Sequence, residues 1–170
     1  MVRNISTASM IPPIRQRGGG AAAGVQAVGR LDQDTTGLLL LTDDGPLLHK
    51  LTSPKKNVPK VYEVTCKHPV TQAMCDKLLK GVVLDDDPEL VAAAAAERVL
   101  PEGADAEADT LHLRLTLLQG KYHQVKRMVA AVGNRVEGLH RSQIGGLVLN
   151  DLAPGQWRWL NDEDLALLKP

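Results

Sequence analysis

Hydrophobic and polar residues alternate with regular periods along much of the chain, and these periods predict its secondary structure. A period of two predicts strands at residues 60–66 and 110–118, the latter with leucine at every second position. Four consecutive leucines at residues 38–41 predict a strand that is buried on both faces. Residues 136–149 predict a strand, a turn at a glycine pair and a second strand.

Four helices are predicted between and after these strands, at residues 46–51, 72–80, 125–132 and 162–168. The last helix follows Asn161, a typical capping residue, and carries three acidic residues in its first turn. Residues 91–100 fit both a helix, because of their five alanines, and a strand, because of the flanking turns. Since strands and helices mix without a β-α-β repeat, we predict an α+β fold with a mixed, mostly antiparallel sheet and flanking helices.

The first 28 residues lack this periodicity. They contain Pro12-Pro13 and two runs rich in glycine and alanine, and we therefore predict an irregular or flexible segment at residues 1–28. A chain of 170 residues has room for one folded domain with a real core. We place that domain at residues 29–170.

Charge is distributed unevenly, although the formal net charge of the chain is zero. Residues 85–109 contain nine acidic residues and the single Arg98, so this acidic segment carries −8 and the remainder carries +8. A basic remainder suits a protein that meets phosphates on one face and keeps its acidic segment away from them. Two ordinarily solvated surfaces would give the same charges.

Composition excludes several classes of protein. The chain has no phenylalanine and four aromatic residues, which argues against base recognition by rows of stacked rings. Cys66 and Cys75 are too few for a disulfide framework or a four-ligand zinc site, and we expect them to be structural thiols in a reducing compartment. No apolar run approaches the length of a membrane span, and no secretory signal is evident. We therefore expect a cytoplasmic protein without a membrane partner.

The densest polar cluster is GRLDQDTTG at residues 29–37, directly before the four leucines. Its aspartates match alternate positions of a calcium-binding EF-hand loop, and Asp43 falls at the twelfth position. The segment lacks flanking helices and a final glutamate, which argues against calcium. Alternatively, Asp32 and Asp34 cap a turn. A third interpretation is that the loop presents reactive groups at the edge of a rigid sheet.

Four blocks resemble the pseudouridine synthases that modify bacterial ribosomal RNA, and the resemblance covers about residues 28–170. The blocks are GRLDQDTTGLLLLT at 29–42, KVYEV at 60–64, GKYHQVKRM at 120–128 and LHRSQIGGL at 139–147 followed by DLAPGQW at 151–157. The resemblance implies a fold with a central active-site cleft. It also implies that Asp32 is the catalytic residue, Tyr62 the active-site tyrosine and Lys126 the basic residue of the site.

The reaction of this family explains these residue types. Conversion of uridine to pseudouridine breaks the bond from C1′ to N1 and joins C1′ to C5 of the same base. A carboxylate serves as the nucleophile, or as the base that removes the C2′ proton. A neighbouring lysine favours the ionised carboxylate, and a tyrosine packs on the uracil and is a candidate for proton transfer at C5. We expect no metal and no organic cofactor.

Several basic residues are predicted to bind RNA. Arg30 is expected to fill the space left by the extruded uridine or to hold the adjacent phosphate. The other expected backbone contacts are Lys55, Lys56, Lys60, Arg127, His140 and Arg141.

The fourth block is similar to the branch that acts on small-subunit ribosomal RNA, which is therefore the expected substrate, free or in a pre-ribosomal particle. Large-subunit ribosomal RNA is an alternative substrate, and a non-catalytic RNA-binding protein for ribosome assembly is an alternative function. The small N-terminal RNA-binding domain of this branch is expected to be absent, because residues 1–28 do not resemble it. The protein is expected to be a monomer.

Overall fold

The computed structural model describes residues 2–5, 26–85, 87–121 and 123–168. Its helices are α1 (Gly45–Thr52), α2 (Gln72–Lys80), α3 (Gln124–Ala131) and α4 (Asp162–Leu167), with a 3₁₀ turn at Pro54–Lys56. Its strands are β1 (Val2–Ile5), β2 (Gln26–Ala27), β3 (Thr35–Thr42), β4 (Lys60–Cys66), β5 (Val82–Leu84), β6 (Asp87–Val91), β7 (Ala95–Arg98), β8 (His112–Leu117), β9 (Val136–Ile144), β10 (Leu147–Val148) and β11 (Trp157–Arg158). The chain divides into two compact units, the first formed by residues 1–58 and 143–170 and the second by residues 59–142.

The first unit is built around β3. Antiparallel β1 and β2 both pair with β3, and β1 also pairs with β11, while β10 folds back on the end of β9. Buried leucines of β3 pack with apolar side chains from the C-terminal residues, including Ile144 and Leu168. Helix α1 begins at Asp44, whose carboxylate accepts a hydrogen bond from the backbone of Leu47 at 3.1 Å. Residues from the segments 28–58 and 144–168 therefore share one core.

The second unit contains the strand order β9-β4-β8-β7, together with the separate antiparallel pair β5 and β6. One face of its sheet packs against α2 and α3, and this core includes the fully buried Leu78, Leu115 and Met128. Arg98 of β7 donates hydrogen bonds to the backbone carbonyls of Val70, Ala106 and Ala108. The one arginine of the acidic segment thus organises the loop that carries much of its charge.

The α+β fold class is confirmed, as are all four predicted helices and the five predicted strands, which are β3, β4, β8, β9 and β10. Asn161 and Asp164 form the capping box at the start of α4. The segment at residues 91–100 contains a strand, β7, because its backbone pairs with β8, and this pairing outweighs the helical propensity of alanine. No helix in the described parts of the chain is long and apolar enough to cross a membrane.

The prediction of irregular structure at residues 1–28 is wrong for the two parts of this segment that the structure describes. Val2–Ile5 forms β1 and Gln26–Ala27 forms β2, because both segments take their hydrogen bonds from the backbone of β3 rather than from a local pattern. The proline pair and the glycine-rich runs lie outside the described residues. The predicted domain at residues 29–170 includes parts of both units. Strands β5 and β6 were also not predicted.

Candidate active site

Asp32 lies in a turn that leads directly into β3. The backbone N–H of Thr35 donates to the carbonyl of Asp32 at 2.9 Å, which closes the turn. On the other side, the N–H of Val28 donates to the carbonyl of Leu40 at 2.8 Å, and the Val28 side chain is buried. Between these two points Gly29 has φ +69°, a conformation that glycine adopts without strain. A half-buried carboxylate is therefore presented on a loop that β3 holds at both ends.

The EF-hand interpretation of this loop does not fit. Residues 35–42 form a strand, whereas a calcium loop of this register would extend from Asp32 to Asp43 between two helices. In the described parts of the chain no three histidine, cysteine or acidic side chains are grouped so that they could hold a metal ion. The expectation that the reaction needs no metal stays a prediction.

Tyr62 lies in the middle of β4, opposite Leu115 of β8, and packs against the buried core of the second unit. Because successive side chains in a strand point to opposite faces, Glu63 lies on the other face of the sheet. There its carboxylate accepts hydrogen bonds from Arg114 at 2.8 Å and from the Ser142 hydroxyl at 3.3 Å. The family block KVYEV thus places a half-buried phenol against the core and an acidic residue on the polar face.

Two cations lie beside Tyr62. Arg141 of β9 is only 3% exposed, and its side chain is hydrogen-bonded to Tyr62. Burial lowers the pKa of Arg141, and the contact with Tyr62 partly opposes this effect. Lys60 lies two residues before Tyr62 on the same face, and burial together with repulsion from Arg141 lowers the pKa of Lys60. Lys60, Tyr62 and Arg141 therefore form one polar cluster at the edge of an apolar core.

Lys126 lies in the first turn of α3 and is half-buried. The loop before this helix is fixed by Gln124, whose side-chain oxygen accepts from the N–H of Lys121 at 3.0 Å, while its backbone N–H donates to the carbonyl of Lys121 at 3.1 Å. His123 has φ +45°, and its carbonyl accepts from the N–H of Arg127. Gln124 was not among the predicted site residues. Its polarity at a buried helical position, next to Val125, is the signal that could have indicated this role.

The acidic segment reaches the same loop. Glu89 of β6 forms an ion pair with Lys121 at 3.6 Å, with 77% of the Glu89 side chain exposed. One residue of the acidic segment therefore contacts a basic residue beside α3, and the expectation that this segment is kept away from phosphates stays a prediction. An ion pair this exposed contributes about 1 kcal/mol or less. It is consequently weak enough for a phosphate to compete for the lysine.

The predicted RNA-binding residues differ in exposure. Arg30, Lys55 and Lys56 are exposed, Lys60, Arg127 and His140 are half-buried, and Arg141 is buried. The burial of Arg141 does not fit the phosphate contact on the surface that was predicted for it. Burial lowers the pKa of His140, opposed by Glu63, so this imidazole is neutral at neutral pH.

The structure brings Lys60, Tyr62 and Arg141 together within the second unit, which also contains Lys126. Asp32 and Arg30 belong to the first unit. The convergence of Asp32, Tyr62 and Lys126 in one site stays a prediction.

Comparison with known proteins identifies the class. A protein-family model described as RNA pseudouridylate synthase matches residues 15–131. A crystal structure of a pseudouridylate synthase superimposes with a TM-score of 0.81 and 35% identity, covering 98% of this chain and 72% of that one. The fold and the block around Asp32 are thus those of an RNA-modifying class of protein. The chain belongs to the RNA pseudouridylate synthase family.

Two curated relatives define the similarity further. The chain is 46% identical over 143 residues to ribosomal small subunit pseudouridine synthase A of Escherichia coli strain K12, which covers 84% of this chain and 58% of that protein. It is 45% identical over 139 residues to the protein of the same name from Vibrio cholerae, covering 81% and 56% respectively. The chain therefore spans somewhat more than half the length of these relatives.

Proposed function

We propose that this protein isomerises a uridine to pseudouridine in ribosomal RNA. The observation that carries the proposal is the turn at Asp32, where a carboxylate in the family's signature block is fixed by β3 at the end of a loop. Similarity to enzymes named for the ribosomal small subunit supports small-subunit RNA as the substrate. The reaction takes place in the cytoplasm, on free RNA or a pre-ribosomal particle, with a monomeric enzyme.

Asp32 is the nucleophile, or the base in the scheme that passes through a glycal. In the first scheme its carboxylate forms a bond to the sugar C1′ while the C1′–N1 bond breaks and its electron pair stays on the uracil. The uracil then rotates, C5 bonds to C1′ as the aspartate leaves, and the proton on C5 is lost while N1 gains one. Atoms and electrons balance without an oxidant, reductant or water, so the scheme requires no redox cofactor, and we expect no metal to be needed.

Tyr62 and Lys126 assist this carboxylate. The Tyr62 ring packs on the uracil face during rotation, and its phenol is a candidate for transfer of the C5 proton. Lys126, on the first turn of α3, favours the ionised form of Asp32. The hydrogen bonds that Gln124 makes around Lys121 support this role, because they fix the start of the helix that carries Lys126.

The target uridine leaves its stack to reach Asp32. Arg30, exposed two residues after buried Val28, fills the vacated space. Lys55 and Lys56, both exposed on the short 3₁₀ turn, contact the RNA backbone, which orients the substrate without reading its sequence.

A non-catalytic function in ribosome assembly is the competing proposal. It would not require a carboxylate among phosphate-binding groups, and Asp32 therefore favours the enzyme. Large-subunit ribosomal RNA is the competing substrate.

Mapping of pseudouridine in ribosomal RNA from cells that lack the gene tests these proposals together. We expect one site in small-subunit RNA to be lost in the deletion strain and restored by the wild-type gene but not by Asp32→Asn. Loss of a site in large-subunit RNA instead would show that large-subunit RNA is the substrate. An unchanged map, or restoration by Asp32→Asn, would contradict the proposed activity.

A further inference from the structure

Arg141 is an unusual residue for the interior of this protein. It is a charged side chain in the middle of β9, 3% exposed, and its strand neighbours β4 in the sheet. A buried guanidinium is unfavourable unless its donors find acceptors and its charge is compensated. An arginine on the surface serves most structural purposes without this loss of hydration free energy. Burial of Arg141 therefore calls for a specific explanation.

The alternation of β9 determines what Arg141 faces. The single hydroxyl proton of Ser142 has two acceptors within reach, the Val61 carbonyl at 3.4 Å and the Glu63 carboxylate at 3.3 Å, and both lie on β4. Ser142 therefore lies on the polar face with Glu63, and Arg141 lies on the opposite face, the one that carries Tyr62. The hydrogen bond between Arg141 and Tyr62 follows from this register.

The chemistry of the two groups suits a fixed contact. A guanidinium presents planar donors in a rigid arrangement, and a phenol oxygen accepts hydrogen bonds. Leu115 is the cross-strand neighbour of Tyr62 on β8, so the ring has an apolar neighbour on one side and a fixed donor on the other. A ring held in this way loses the freedom to swing about its side-chain torsions.

We propose that Arg141 is a positioning residue that holds the Tyr62 ring at the angle required for contact with the uracil. This inference rests on the proposed function, in which Tyr62 packs on the base. Arg141 itself does not contact RNA; it acts through the phenol oxygen of Tyr62. Lys60, on the same face, adds a second cation that keeps the cluster polar.

A double-mutant cycle on the full chain tests the proposal. Single-turnover rate at saturating enzyme and RNA affinity are measured for Arg141→Met, Tyr62→Phe and the double variant, with small-subunit ribosomal RNA lacking the modification as substrate. We expect Arg141→Met to lower the rate about 10- to 100-fold, the scale of a small misplacement of a reacting group. Affinity should change less than about twofold, and in the Tyr62→Phe background Arg141→Met should have little further effect.

Arg114→Met is the matched control. Arg114 lies on the polar face of the same sheet, where it pairs with Glu63 and Glu97, and its loss should leave the rate unchanged. If Arg141→Met lowered affinity but kept the rate at saturation, Arg141 would be an RNA contact. If the two single effects multiplied in the double variant, Arg141 would act independently of Tyr62. Either result would overturn the proposal.

A second measurement keeps the proposal separate from the proposed activity. The chain has two tyrosines, so fluorotyrosine incorporation gives two ¹⁹F resonances, and Tyr62→Phe assigns the one that belongs to Tyr62. Arg141→Gln, chosen in case Arg141→Met fails to fold, should shift or broaden that resonance and leave the other unchanged. An unaltered Tyr62 resonance would refute the contact, whereas an altered resonance in a protein inactive on every ribosomal RNA would refute the proposed function alone.

Discussion

Replacement of Gly145 by alanine should destabilise the first unit through a clash that cannot relax. Gly145 forms the turn between β9 and β10 with φ +57°. A Cβ atom at this position would lie 2.7 Å from the carbonyl oxygen of Leu167 and 3.2 Å from the Cα of Leu168. Both are backbone atoms, and the same Leu167 carbonyl accepts a hydrogen bond from Gly146 at 2.7 Å. Neither partner can move away as a flexible side chain would.

The expected loss in the free energy of unfolding of Gly145→Ala has two parts, one from backbone conformation and one from steric overlap. A left-handed conformation costs an alanine about 1–2 kcal/mol relative to glycine. Forced overlap in a packed region adds about 1–3 kcal/mol. Alanine also reduces the conformational freedom of the unfolded chain, which stabilises the folded state by less than about 1 kcal/mol. The free energy of unfolding should therefore fall by about 2–4 kcal/mol.

Gly133→Ala separates the conformational cost from the cost of steric overlap. Gly133 has φ +82°, but a Cβ atom there would have no heavy atom within 4 Å beyond its own neighbours, so this variant should lose only the conformational part, about 1–2 kcal/mol. Urea denaturation of both variants measures the difference through the midpoint at an unchanged m-value. If Gly145→Ala were no less stable than Gly133→Ala, the contact with Leu167 would not carry the energy assigned to it.

Three further predictions concern the proposed activity. Asp32→Asn should lower the single-turnover rate at least about 1,000-fold, the scale seen when a nucleophile is removed. Its stability to urea should change little. Asp34→Asn is the matched control and should keep the wild-type rate. EDTA should leave the rate unchanged, and a loss reversed by added metal ion would reopen a metal mechanism. Charge reversal at Lys55 and Lys56 should weaken binding to all RNAs alike and reduce the salt dependence of binding. Arg30→Ala should mainly lower the single-turnover rate. If Arg30→Ala lost affinity alone, Arg30 would be a phosphate contact.

Elements with strong local patterns could be predicted from the sequence, and elements decided by distant pairing could not. Strand β4 and helix α2 follow from alternation and from the Thr71 and Gly81 boundaries. Strand β1 has four residues, too few to show a period, and it exists because β3 supplies its hydrogen bonds. Strand β7 is rich in alanine, and only its pairing with β8 makes it a strand.

The candidate site shows the same division. Asp32, Tyr62 and Lys126 could be named from the sequence because each lies in a block that resembles a known family. Arg141 was assigned to the surface, since arginines are seldom buried, and its position on the core face of β9 depends on the register with β4. Register is set by tertiary contacts, which no local window of sequence contains.

The discontinuous first unit has a consequence for synthesis on the ribosome. Its core joins Leu38 and Leu40 to Val28 and Val58 and also to Ile144, Leu147 and Leu168. These leucines therefore lack part of their apolar partners until residues 144–168 have emerged. The second unit is continuous and can fold first, with its own core complete by Leu139. During that interval the apolar strand next to Asp32 is exposed to aggregation or to chaperones. Asp32, the proposed nucleophile, therefore reaches its final setting only after the residues up to Leu168 have been translated.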